Sequence, residues 1–183
     1  NAPGCQDLLA VYAACGIILE CPQGDVVLMS QQAVTDFVAM YPNCTQIEGN
    51  LLIGAEEQTD ITDLSSLGNL EIISGGLGIL GTQVTSLNGL SSLTSIGSLV
   101  LVNNPLLTDV AALENTVINL EGNLYIENNS SLSVCGISSI CTFMQQSQGN
   151  VNIYSNAPGC EDGNAVMASC PVPDCPKGNI EFG

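Results

Sequence analysis

One short phrase recurs along the chain and restricts what it can fold into: a glycine, any residue, an apolar residue, any residue, and a second apolar residue. That alternation is the pattern of a short half-buried strand. It is clearest at Gly122-Asn123-Leu124-Tyr125-Ile126, and it recurs at Gly24 to Leu28, Gly49 to Ile53, Gly75 to Ile79, Gly97 to Leu101, Gly149 to Ile153 and Gly178 to Phe182. The second, third and fourth of these copies admit a choice of register. Their first apolar residues are Val26, Leu51, Leu77, Leu99, Leu124, Val151 and Ile180, so the steps are 25, 26, 22, 25, 27 and 29 residues. Such spacing belongs to a solenoid, in which each repeat is too small to bury its apolar side alone and must stack on the next.

A longer repeat lies over the short one. Asn1-Ala2-Pro3-Gly4-Cys5 returns letter for letter as Asn156-Ala157-Pro158-Gly159-Cys160, and Cys15 returns as Cys170. Cys21-Pro22-Gln23-Gly24-Asp25-Val26 returns as Cys175-Pro176-Lys177-Gly178-Asn179-Ile180, with the offset shortened from 155 to 154 residues by a shorter spacer. The chain therefore reads as a unit of a tandem array. Residues 1–15 are the end of a preceding unit, a disulfide-closed cap, and 16–20 a spacer. Residues 21–170 form the unit itself, 171–174 a second spacer marked by Pro171 and Pro173, and 175–183 the start of the next unit.

Each unit carries six cysteines, and the nine in the chain are those six plus three from neighbouring copies. Soft-metal sites draw on tight Cys-x2-Cys pairs or on histidine, and the chain has neither, so the cysteines read as disulfides in an oxidising, extracellular setting. Six cysteines allow about 15 pairings. Sequence proximity favours Cys5 with Cys15, Cys21 with Cys44, Cys135 with Cys141, and Cys160 with Cys170, and leaves Cys175 to pair within the next unit.

Charge narrows the function. Among 183 residues, eighteen acids face one base, Lys177, and there is no histidine. A chain so poor in cations lacks the means to grip nucleic acid or an anionic membrane surface. No apolar run reaches the ~18 residues of a spanning helix, so membrane insertion is not expected. The chain opens inside a motif rather than at a start methionine, so a targeting signal would lie upstream. Nucleophilic catalysis needs a base, and without histidine only Lys177 and carboxylates could serve, which points away from an enzyme.

Several local elements can be placed. Gln6 to Ala14 reads as a short helix between Cys5 and Cys15. Ser30 is placed to cap a helix from Gln31 to Met40 that Pro42 stops, an entry cap. A second apolar beat follows each strand at Ile61-Thr62-Asp63-Leu64, Val84-Thr85-Ser86-Leu87, Leu107-Thr108-Asp109-Val110 and Leu132-Ser133-Val134. Asparagines stand at strand exits in Asn103-Asn104, Asn128-Asn129 and Asn156, where their amides can satisfy turn groups and tolerate left-handed backbone. Cys135 to Gln146 reads as a closing helix.

Gly122 to Asn129, the Leu-Thr-Asp and Leu-x-x-Leu beats, Val134-Cys135-Gly136-Ile137-Ser138-Ser139-Ile140-Cys141 and the Asn-Ala-Pro-Gly-Cys block together resemble receptor L-domain leucine-rich repeats. The likeness is to tandem L-domains of secreted microbial surface proteins and covers roughly Cys21 to Cys170. It implies a mainly β fold: a right-handed β-solenoid of about six coils per unit, with short capping helices and local disulfides. It implies a use in adhesion or ligand binding, and no catalytic residues. The chain departs from such relatives by placing mostly apolar residues on the outward strand positions.

Those outward positions are Val27 with Met29, Leu52 with Gly54, Gly78 with Leu80, Val100 with Val102, Tyr125 with Glu127, and Asn152 with Tyr154. An apolar stripe across stacked strands marks a partner surface, here self-association of the array into a rod or filament. A discrete glycan- or protein-binding module is the alternative, with Tyr125 and Tyr154 as the strand-face residues able to stack on sugar. A polysaccharide hydrolase is the third reading, with Glu56 and Glu57 or Asp60 and Asp63 as its carboxylate pair. Glu56, Glu57, Asp60 and Asp63 are also the candidate ligands for a weak calcium site, against the plainer reading of a solvated acidic edge. No other cofactor is expected. Asn43, Asn128 and Asn129 match the N-glycosylation pattern.

Overall fold

The structure, a computed structural model, describes residues 20–171. The expectations for Cys5, Cys15, Cys175, Lys177 and the Gln6 to Ala14 helix lie outside the described residues. Within them the chain runs β1 (Val26–Leu28), α1 (Gln31–Met40), β2 (Gln46–Ile47), β3 (Leu51–Gly54), β4 (Ile72–Leu80), β5 (Ser95–Val102), β6 (Val117–Ile118), β7 (Leu124–Glu127), α2 (Ser138–Gln146), β8 (Val151–Tyr154) and α3 (Gly163–Ser169). All the strand pairings are parallel, in the order β1-β3-β4-β5-β7-β8, with β2 beside β4 and β6 beside β5.

The register is the one the repeated phrase specifies. Val26 pairs with Leu51, Leu51 with Leu77, Leu77 with Leu99, Leu99 with Leu124, and Leu124 with Val151. Period two then sends this column and the next one, Leu28-Ile53-Ile79-Leu101-Ile126-Ile153, into the core, where most members are completely buried. Between strands, short 3-10 turns at Ser65–Leu67, Asn88–Leu90 and Ala111–Leu113 supply further buried positions, with Leu64, Leu67 and Leu70 matched by Leu87, Leu90 and Leu93. Of the second apolar beats, the first three are buried as expected; in the fourth, Leu132 is buried but Val134 is half exposed. Cys135 takes the inward place there, completely buried.

From Gly49 to Gly149 the glycine of each phrase is required by the closeness of successive layers, whereas at Gly24 a Cβ would meet nothing and the positive φ of 100° favours glycine. A Cβ on Gly75 would stand 2.8 Å from the Gly49 carbonyl oxygen, and one on Gly97 would stand 2.7 Å from that of Gly75. At Gly122 and Gly149 the clash with the preceding glycine's carbonyl is closer still. At the strand exits a second column turns the chain. Gly81, Asn103, Asn128 and Ser155 all have φ between 56° and 59°, the left-handed region that asparagine tolerates.

Beside them runs a buried amide ladder. Asn104 and Asn129 are completely buried; the Asn104 N–H donates to Asn129 Oδ1 at 2.9 Å, and the Asn129 N–H donates to Asn156 Oδ1 at 3.0 Å. Their side-chain amides donate to the carbonyls of Ile79 (2.8 Å) and Leu101 (3.0 Å), and that of Asn156 to Ile126 (2.8 Å). Of the three sequon asparagines, Asn129 is completely buried, whereas Asn43 and Asn128 are exposed.

The capping helices form where expected, with one adjustment. Ser30 Oγ accepts from Ala33 N–H at 3.1 Å and α1 ends at Met40, with Tyr41 as its C-cap just before Pro42. The closing helix begins at Ser138 rather than Cys135 and has no side-chain cap of its own; Glu114, from the layer before, accepts from the Ser138 N–H at 3.2 Å and from its hydroxyl. Asp162 caps α3 through Ala165 N–H at 2.9 Å.

Cys21 pairs with Cys44, as proximity suggests. The other two expected bridges are replaced: Cys135 joins Cys160 and Cys141 joins Cys170. Those separations are 25 and 29 residues, the length of one strand-to-strand step, so each bond links neighbouring layers instead of closing a small loop. Stacking brings residues one step apart closer than the chain's own order suggests, with Cα atoms 5.7 and 5.6 Å apart in the two pairs.

Two outcomes test this packing. Non-reducing peptide mapping should recover Cys21 with Cys44, Cys135 with Cys160 and Cys141 with Cys170, and no peptide joining Cys135 to Cys141. Gly97→Ala should lower stability by about 1–3 kcal/mol in denaturant melts, as overpacking does. Gly163→Ala, whose Cβ would meet only the end of Met144 at 3.5 Å, should not.

Candidate binding surface on the parallel sheet

Two rows of side chains leave the core and form the outer face of the sheet. By register the first row is Val27, Leu52, Gly78, Val100, Tyr125 and Asn152, and the second is Gly54, Leu80, Val102, Glu127 and Tyr154. Val27 (48%), Met29 (61%) and Tyr154 (41%) are exposed, while Leu52, Leu80, Val100, Val102 and Tyr125 are half-buried against one another. The structure therefore gathers every expected strand-face residue on one surface except Gly54, which is buried under the following strand, where a Cβ would strike the Leu80 carbonyl.

The face is not uniform. At its β1 end lies an apolar groove of about 390 Å³, floored by Gly76 and Gly78 and walled by Val27, Leu52, Leu80 and Val100. The groove exists because residue 78 lacks a side chain in an otherwise filled row. The Leu52 and Leu80 methyls already reach within 3.0 and 3.2 Å of where a Cβ would stand. At the β8 end the face is polar. Glu127 accepts from Asn152 Nδ2 at 2.8 Å and from the Tyr154 hydroxyl at 2.7 Å, so both carboxylate oxygens are engaged. The Glu127 hydrogen bond, then desolvation and the carboxylate's charge, push the Tyr154 hydroxyl above the ordinary tyrosine range. The alternation of the strands predicted the residues of this face; the gap at Gly78 was not singled out, although a lone glycine at an outward position was its signal.

The acidic candidates are not brought together. Glu56 and Glu57 are exposed, Asp60 Oδ1 accepts from the Gln31 N–H at 2.9 Å, and Asp63 accepts from the Ser65 N–H and hydroxyl, each at 2.8 Å. Those bonds hold Asp63 below the usual carboxylate range. Among the described residues no three acidic, cysteine or histidine side chains are grouped as a metal site. Nor is there among them a helix long and apolar enough to cross a membrane.

A family model, Receptor L domain, matches residues 43–146, more than half of the chain. The chain belongs to the receptor L domain family. Among curated proteins no match is found. Receptor L domains are ligand-binding, non-enzymatic domains, and family and disulfides together agree with an extracellular setting.

The polar end has a spectroscopic signature. Because its hydroxyl is stabilised in the protonated form, Tyr154 should ionise later than a free tyrosine on an ultraviolet pH titration. Glu127→Gln should move that ionisation to lower pH. Any stability from this bond is present below the ordinary tyrosine value of about 10 and is lost as pH rises through the elevated one.

Proposed function

We propose that this chain is an extracellular recognition unit, a β-solenoid of about six coils repeated in tandem, that docks a protein partner with the outer face of its sheet. The observation that carries the reading is the groove at Gly78, an apolar depression on a face rimmed by half-buried Leu52, Leu80 and Val100. Such a depression suits one or two apolar side chains of a partner, with the surrounding face excluding water. The Glu127–Asn152–Tyr154 cluster then sets orientation, since its hydrogen-bonding groups lie at one end only.

A second reading makes the partner another copy, giving the rod or filament. A two-fold axis through the groove sets apolar on apolar, an isologous contact that pairs two chains side by side, while the length of the rod would come from the tandem repetition itself. The longer sequence repeat supports it, because an array presents the same groove at intervals and adds avidity to a weak contact. The calcium reading has less support, the four acids being apart or engaged. Glycan binding would rest on Tyr125 and Tyr154, of which Tyr154 has its hydroxyl bound to Glu127.

The test is Leu52→Glu with Val100→Glu. The double variant should keep the far-ultraviolet circular dichroism of the parent, lose concentration-dependent association in sedimentation velocity, and lose binding of a neutral apolar dye. A groove that takes no dye in the parent overturns docking at this face. Association that persists in the variant overturns the self-association reading alone.

A further inference from the structure

The sheet ends at β8 in a state that the other end does not share. Val151 belongs to the inward column of Val26, Leu51, Leu77, Leu99 and Leu124, whose exposure is 8% or less, yet Val151 is 40% exposed. At the opposite edge α1 packs on β1 and covers Val26. At the β8 edge α3 covers Ile153, 7% exposed, and leaves Val151 open.

Backbone and side-chain ladders stop at the same place. The N–H of Val26 donates to Asn50, that of Leu99 to Asn123 and that of Leu124 to Asn150, each to the carbonyl of the next strand at 2.8–2.9 Å. The equivalent N–H is that of Val151, and no strand follows β8 among the described residues. Along the strand entries, Asn50 donates by its N–H and Nδ2 to Asp25 Oδ1 (2.7 and 3.0 Å), and Asn150 does the same to Asn123 Oδ1 (3.1 and 2.9 Å). The Gly76 N–H takes Asn50 Oδ1 at 2.7 Å and the Asn123 N–H takes Ser98 Oγ at 2.9 Å. Asn150 Oδ1 is the next acceptor in this series and has no donor among the described residues.

We propose that Asn179-Ile180-Glu181 occupies the open Val151 half of the β8 edge as a further short parallel strand, the other half being held by α3 and by the antiparallel Tyr154–Asp162 bridge, so that the sheet of one unit runs on into the next. Gly178-Asn179-Ile180-Glu181-Phe182 repeats the pattern of Gly149-Asn150-Val151-Asn152-Ile153, with its glycine where the close approach of layers requires one. In register, the Asn179 N–H and Nδ2 meet Asn150 Oδ1, the Val151 N–H donates to the Asn179 carbonyl, and Ile180 covers Val151. The step from Val151 to Ile180 is 29 residues against 27 for the one before. The ten residues from Ser169 to Asn179 span up to about 33 Å when extended, ample to return to the edge. One replacement between the copies fits this place: position 25 is Asp, which only accepts, while its counterpart is Asn179, which has the Nδ2 donor. A carboxylate facing Asn150 Oδ1 would set acceptor against acceptor.

This inference rests on the tandem reading but not on any use of the outer face, and its test has a separate readout. Hydrogen exchange is followed by NMR on the 183-residue chain and on Glu181→Pro, which removes the N–H that would bond the Val151 carbonyl. In the parent, the Val151 and Ile153 amides should exchange as slowly as those of Leu124 and Ile126. In Glu181→Pro they should speed up at least ~10-fold while Leu124 and Ile126 stay slow, as expected for local loss of one strand. Equal rates in the two chains overturn the proposal. Protection that survives Glu181→Pro and rises with protein concentration assigns the edge to a second molecule and overturns it as well.

Discussion

The parallel backbone ladder, advancing one layer for every 22 to 27 residues, is the constraint on which the remaining structure depends. Because each strand pairs with the next in fixed register, each side chain stacks on its counterpart one step away. The core is thus a set of columns, and a residue that suits one layer must suit its neighbours. Glycine at the strand entry follows directly, since adjacent carbonyls occupy the space a Cβ would need.

Stacking like on like also explains the polar composition. A column of carboxylates about 4.8 Å apart would place like charges in contact, whereas an amide carries both donor and acceptor and can bond to a copy of itself. Asn104, Asn129 and Asn156 form such a column inside, and Asn50, Asn123 and Asn150 contribute to one at the strand entry. Among the described residues the acids lie elsewhere than these columns, with the exception of Asp25, which starts the second one and has no described layer behind it.

The same rule separates the two ends of the outer face. Where the outward rows hold Leu, Val and glycine, they leave a depression; where they reach Glu127, Asn152 and Tyr154, neighbouring layers bond to one another. On the proposed reading, a partner would meet an anchor site and an orienting site on a single sheet. The middle of the face is backed by completely buried Leu77, Ile79, Leu99, Leu101, Leu124 and Ile126.

Period and alternation alone determined six of the strands, the inward and outward rows, the capped helix after Ser30 and the asparagine turns, because each depends on residues near in sequence or one step apart; the short strands β2 and β6 and the choice of register in three copies did not follow from them. Tertiary structure decided what depends on which layers become neighbours at the ends of the stack. Cys135 and Cys141 are close in sequence but pair with Cys160 and Cys170, since a step of 25 or 29 residues returns the chain to the same place. It likewise buried Asn129 while leaving Asn128 exposed, turned Val134 outward so that Cys135 could point in, and drew Asp60 and Asp63 into backbone caps away from Glu56 and Glu57. A periodic sequence specifies the contacts of one layer with the next; its interruptions, caps and cross-links are set by the three-dimensional position at which the repetition stops.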